Sequence, residues 1–132
     1  MSRPQLGTVG FRALVVDDSL AMRRRLVAVL QTLGAVACDE AEDGAEGLKR
    51  FSESEYDVVV TDLNMPLVDG LKLIHHIRAG ERRRDVPIVV VTTEAGETDR
   101  SRAMALGANA YLLKPIHAGR VSSAVRDLLG LP

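Results

Sequence analysis

The chain has 132 residues, 46% apolar and 27% charged, with a formal net charge of -1. This is the balance of an ordinary globular chain, able to bury roughly two-thirds of its unfolded surface, and it gives no electrostatic drive toward nucleic acid or an anionic membrane. The single cysteine, Cys38, excludes an intrachain disulfide; no apolar run approaches the ~18 residues of a membrane span and no signal-peptide core opens the chain, so the cytoplasm is the expected compartment.

Residues 1–10 carry Pro4, Gly7 and Gly10 without a period and read as a flexible leader. Ala13-Leu14-Val15-Val16 is a short apolar run that stops at Asp17-Asp18; apolar on both faces, it predicts a central parallel strand. Ser19 is placed to cap a helix carrying Met22, Leu26, Val29, Leu30 and Leu33 at helical spacing, which Gly34 ends. Ala35 to Cys38 predicts a weaker strand with Cys38 mostly buried, and Asp43-Gly44 opens a helix with Ala45, Leu48 and Phe51 on one side. Tyr56 to Thr61 is a third strand, ending at Asp62.

Asp69-Gly70 leads into a helix with Leu71, Ile74 and Ile77 inward, and 80–85 is a polar loop. Pro87 to Val91 is a fourth strand, ending at Thr92-Thr93; a helix over Glu97–Leu106 stops at Gly107. Ala110 to Leu113 is a fifth strand, ending at Lys114-Pro115, and a last helix over Ala118–Leu129 turns Val121, Val125 and Leu128 inward. Five strand–helix alternations predict one α/β domain over 11–130, a parallel sheet with helices on both faces. The basic runs Arg23-Arg24-Arg25 and Arg82-Arg83-Arg84 read as solvated faces.

Ligands of such sheets bind beyond the carboxyl ends of the strands. The runs deliver Asp17 and Asp18, Asp62, Thr92 and Lys114 there. Each alone reads as a cap or turn residue; in register they suit one site. Crowded carboxylates repel, and a hard divalent cation such as Mg²⁺ (or Mn²⁺) relieves this. Asp62 is then the attacking carboxylate of an aspartyl phosphate, with Lys114 and Thr92 for phosphoryl oxygens. The Lys114–Pro115 bond has the option of being cis.

The ordered motifs Val15-Val16-Asp17-Asp18-Ser19, Ala41-Glu42-Asp43-Gly44, Asp62 to Gly70, Val91-Thr92-Thr93-Glu94 and Gly107 to Pro115 make the chain resemble the receiver domains of two-component response regulators, most of all the stand-alone chemotaxis type. The resemblance implies a (βα)5 flavodoxin-like fold with strand order 2-1-3-4-5. It implies Asp62 as phosphoacceptor, Asp17, Asp18, Asp62 and the Asn64 backbone carbonyl as metal ligands, Thr92 as switch hydroxyl, Tyr111 as switch aromatic that turns inward, and a Lys114–Pro115 bond that is usually cis. It also implies a sensor histidine kinase or phosphotransfer protein as donor, and a target protein bound through the face of the fourth helix, fifth strand and fifth helix, where Met104, Tyr111 and His117 are candidates. A monomer or weak phosphorylation-linked dimer is expected.

Thr93 stands where that type often has alanine, and its branched side chain is expected to narrow access to Asp62. Gly47 stands for a usual alanine and is expected to soften its helix. The last helix ends near Pro132, so no output domain is expected and output falls to protein binding. Two rivals are a phosphorylation-independent interaction module and a metal-dependent aspartyl-phosphate phosphatase. The familiar phosphatase pattern has a second aspartate two positions on, where this chain has Asn64. His75-His76, adjacent on a helix and expected to point apart, make a poor metal pair.

Overall fold

A computed structural model describes residues 10–132; apart from Gly10, the expected leader lies outside the described residues. The elements alternate as β1 (Phe11–Val16), α1 (Leu20–Thr32), β2 (Ala35–Ala41), α2 (Gly44–Glu53), β3 (Val58–Thr61), α3 (Gly70–Ala79), β4 (Ile88–Thr92), α4 (Glu97–Leu106), β5 (Ala110–Leu113) and α5 (Ala118–Leu129). All strand pairs are parallel, in the order β2-β1-β3-β4-β5.

The unbroken apolar runs are explained by two cores. Alternate strand residues face opposite sides. Leu14, Val16, Val59 and Val90 pack with Phe51, Leu73, Ile74, Ile77 and Ala103 of α2, α3 and α4. Ala13, Val15, Val58, Val60, Val89 and Val91 pack with Leu26, Leu30, Val121, Val125 and Leu129 of α1 and α5. Ser19, Asp43 and Asp69 cap α1, α2 and α3 through backbone amides three residues on. Among the described residues no helix is long and apolar enough to cross a membrane.

Three expectations shift. β2 runs past Cys38 to Ala41, because pairing with β1 continues through Leu14↔Asp39, Val15↔Glu40 and Val16↔Ala41. It is an edge strand, so the polar Asp39 and Glu40 sit half-buried, as does Cys38. In α2 the inner face is Gly44, Gly47 and Phe51 with Leu48 partly buried, while Ala45 is exposed. Gly47 lets the helix lie close on β1: a Cβ there would stand 3.2 Å from a Val16 methyl.

Candidate functional site

Register assembles the site. β1 and β3 pair through Val16↔Thr61, so the next residues, Asp17 and Asp62, emerge side by side. The Asp17 amide donates to Ala41 O at 3.0 Å and the Asp62 amide to Val16 O at 3.0 Å. Beyond β3, Thr92 ends β4 and its carbonyl accepts from the Lys114 amide at 2.8 Å. Asp17 and Asp62 are buried, Thr92 fully so, and Asp18 is exposed.

Three side chains meet at the centre. Lys114 Nζ donates to Asp17 Oδ2 at 2.9 Å and to Asp62 Oδ2 at 2.8 Å. Asp62 Oδ1 accepts from the amides of Leu63 at 2.6 Å and Asn64 at 3.4 Å, and Asp17 Oδ1 from that of Ser19 at 2.9 Å. Each carboxylate is thus aimed by backbone on one oxygen and by the lysine on the other. The Lys114–Pro115 peptide is cis. Gly70 brings the start of α3 against the acid: a Cβ there would lie 2.1 Å from Asp62 O.

Burial pushes the Asp17 carboxyl above its ordinary value, against the opposing pull of the Ser19 amide and Lys114. Burial by itself would lower the Lys114 ammonium, but its hydrogen bonds and charge contacts with Asp62 and Asp17 prevail and the net shift is upward. The lysine therefore stays charged between two buried acids.

Asp17, Asp18 and Asp62 offer carboxylate oxygens that all lie within 4.8 Å of one another. The donors are hard oxygens at the open end of the sheet, a chemistry that fits a small divalent cation such as Mg²⁺ or Mn²⁺ and disfavours thiophilic metals. The residues present fit the group.

A second set of contacts links this cluster to β5. Asn64 Nδ2 donates to Glu94 Oε1. The Glu94 amide donates to Thr92 Oγ1 at 3.3 Å, and the Tyr111 hydroxyl donates to Glu94 O at 2.6 Å. Tyr111 is turned inward, 9% exposed, with the Arg100 guanidinium 5.8 Å from its ring centroid. Burial first, and the nearby Asp99 and Glu94 charges next, push the Tyr111 phenol up.

All the strand-end residues named from sequence converge here. Arg23 was missed. Read as part of a solvated run, it is largely buried behind the acids, whereas Arg24 and Arg25 are exposed. Arg83 is likewise tucked in, donating to Tyr56 O at 2.9 Å. The position of Arg23 in the first turn of α1, three residues after Leu20, was the available signal, masked by its two basic neighbours. His75 and His76 are exposed on α3, outside the cluster; their rings do not point apart but meet edge-on, centroids 5.7 Å apart. Thr93 is exposed.

A doubly wound sheet that gathers acids, a hydroxyl and a lysine at its carboxyl edge has the architecture of a two-component receiver. The response regulator receiver domain model matches residues 13–126, and the chain belongs to that family. It is 38% identical over 120 residues to a chemotaxis protein CheY homolog of Campylobacter jejuni, covering 90% of this chain and 92% of that one. It is 36% identical over 120 residues to the chemotaxis protein CheY1 of Helicobacter pylori, covering 90% and 97%. Among solved structures it resembles the chemotaxis response regulator CheY4 of Vibrio cholerae, with TM-score 0.82 and 28% identity over 89% of this chain and 98% of that one. The receiver domain of a sensor histidine kinase from Pseudomonas aeruginosa, solved with a magnesium ion coordinated in its active-site cleft, superposes with TM-score 0.83 and 29% identity over 92% and 99%. The chain is a CheY-like receiver of two-component signalling.

Proposed function

We propose that the chain is a phosphorylatable switch, receiving a phosphoryl group on Asp62 from the phosphohistidine of a sensor kinase or phosphotransfer protein, or from a small phosphodonor. The observation that carries this reading is the placement of Asp62: buried to 6% exposure, fixed by the Leu63 amide on one oxygen and by Lys114 on the other, beside two further acids. The Asp62 carboxylate attacks phosphorus, an O–P bond forms, and the bond to the donor breaks with its electrons leaving on the donor. Asp17, Asp18, Asp62 and the Asn64 carbonyl would hold Mg²⁺, which when bound screens the charge of the acids and the phosphoryl oxygens. Lys114 holds Asp62 before the transfer and has a phosphoryl oxygen to grip after it. The Thr92 hydroxyl accepts from the Glu94 amide and carries a hydrogen to donate to the incoming oxygens.

The phosphoryl group adds close to two negative charges and three acceptors. Thr92 and Tyr111 share Glu94 as a neighbour, so movement of the hydroxyl reaches the aromatic and the surface of α4, β5 and α5. Met104 and His117 are exposed on α4 and at the head of α5, and a target protein that reads this surface would distinguish the two states. Residues 11–130 act as one receiver unit in the cytoplasm, with no chemistry directed at nucleic acid.

The test is intact-mass analysis after incubation with a small phosphodonor and Mg²⁺. One phosphoryl adduct is expected, absent in Asp62→Asn and absent with a chelator. An adduct that persists in Asp62→Asn overturns the assignment.

A further inference from the structure

We infer that Arg23 and Glu40 form a positioning pair that sets the metal affinity of the acid cluster; this rests on the reading of Asp17, Asp18 and Asp62 as a cation site. Arg23 projects from the first turn of α1 and its side chain is only 12% exposed. Its Nη1 donates to the Asp17 carbonyl at 2.7 Å, and its Nε donates to Glu40 Oε1 at 3.0 Å. Glu40 lies near the end of β2, one residue before Ala41, whose carbonyl accepts from the Asp17 amide. Both ends of the Asp17 residue are therefore tied down, its N–H by the neighbouring strand and its C=O by Arg23. The carboxylate between them is the one that faces Asp62 across Lys114.

The two partners act in opposite directions on a cation. The planar fork of Arg23 holds the Asp17 peptide so that its side chain and the following Asp18 keep their aim, which a lysine, with one donor head, does not reproduce at both partners. The same guanidinium places a positive charge behind the site, and Glu40 compensates it. An Arg23 without Glu40 would hold the geometry and repel the ion; a Glu40 without Arg23 would leave the Asp17 carbonyl unheld. Groups that orient metal ligands in this way are commonly worth about 10–100-fold in metal affinity.

The experiment is Mg²⁺ titration of the full chain by calorimetry or amide NMR shifts, with metal-free melting measured alongside. Arg23→Met keeps the apolar stem and should weaken Mg²⁺ binding about tenfold or more. Arg23→Lys should fall between wild type and Arg23→Met. Glu40→Gln should weaken binding several-fold, by an amount that shrinks as salt rises, and adding it to Arg23→Met should cost little further. Arg23→Met binding within about twofold of wild type overturns the inference. If Arg23→Met does not fold, Arg23→Lys decides: weaker binding with a near-native melt supports the pair, and wild-type binding overturns it. A wild type that does not bind Mg²⁺ at all overturns the cation site itself, and the pair with it.

Discussion

Lys114 Nζ stands 2.8 Å from Asp62 Oδ2, across 52 residues of sequence, and shares its charge with Asp17. The lysine occupies the centre of the acid cluster and so competes with any cation for the same carboxylates. Lys114→Met should bind Mg²⁺ more tightly than wild type while losing stability in its absence. Removing one partner of an enclosed charge pair costs about 3–5 kcal/mol; with the site open at the sheet edge, about 2 kcal/mol is expected. Calorimetric Mg²⁺ titration and chemical denaturation with and without Mg²⁺ check both. Lys114→Met binding Mg²⁺ more weakly than wild type would mean that the lysine organises the acids more than it opposes the ion.

The pH dependence follows from the same contacts. The folded Lys114 value lies above the ordinary 10.5, so its stabilising share is present below that value and lost as pH rises through the folded one. Asp17 is raised from 3.8 by burial, so its share is present in acid and lost as pH rises through its folded value. The metal-free protein should therefore lose stability on leaving acid through Asp17 and again in strong alkali through Lys114. Mg²⁺ should offset the first loss, by neutralising the carboxylates, and leave the second. Denaturation midpoints against pH, with and without Mg²⁺, measure this.

Tyr56 gives a separate alkaline marker. Its hydroxyl donates to Asp39 Oδ2 at 2.5 Å, and burial together with that carboxylate pushes the phenol up to about 12 from an ordinary 10.0. The stabilising share is complete below 10.0 and lost as pH rises through about 12. With only two tyrosines and no tryptophan, near-ultraviolet phenolate absorbance resolves it. Neither tyrosine should titrate near its ordinary value in the folded state, and Tyr56→Phe should leave one late transition, from Tyr111, while destabilising the chain by about 2 kcal/mol. A tyrosine in wild type that ionises at its ordinary value would contradict the burial of both rings.

Fold and site were unequally legible. The central strands are almost wholly apolar because both sheet faces are covered, so Val58-Val59-Val60 announced a central strand and Asp62 its end. β2 was harder: as an edge strand it tolerates Asp39 and Glu40, and its length is set by pairing with β1, which local composition does not carry. The strand-end acids, threonine and lysine were readable because β–α loops deliver them in chain order. Arg23 was not, because only the fold brings Glu40 and the Asp17 carbonyl to it. The inward set of Tyr111 under Arg100 is likewise a tertiary fact.

Gly70 and Gly47, both in helices that face the sheet, separate cleanly in the structure. At Gly70 a Cβ would meet Asp62 O at 2.1 Å and Leu63 Cα at 2.7 Å, backbone atoms that cannot step aside. Gly70→Ala should therefore cost about 2–3 kcal/mol, as overpacking does, and weaken Mg²⁺ binding by shifting Asp62. At Gly47 the nearest atoms are Val16 methyls at 3.2 and 3.3 Å. The gain in helix propensity, up to about 1 kcal/mol, offsets that tight contact, so Gly47→Ala should change stability by less than about 1 kcal/mol. Urea denaturation of both variants makes the comparison; a Gly70→Ala as stable as wild type would show that the α3 start stands farther from Asp62 than here.

Arg100 lies over Tyr111 from α4, and the phenol is tied beneath to the Glu94 carbonyl. Arg100 is exposed, and a guanidinium over an aromatic ring at such a solvated site contributes about 0.5–1 kcal/mol, enough to bias a two-state side chain about two- to fivefold. Removing it should leave the fold intact and raise the outward population of the ring. Tyr56 is 1% exposed, so quenchable tyrosine fluorescence reports mainly on Tyr111. Arg100→Ala should increase acrylamide quenching, and Arg100→Lys, which keeps the charge, should give a smaller increase. Quenching unchanged in Arg100→Ala would mean that the Glu94 hydrogen bond alone holds the ring, a possibility that Tyr111→Phe, which deletes that bond and keeps the ring, tests by loss of thermal stability.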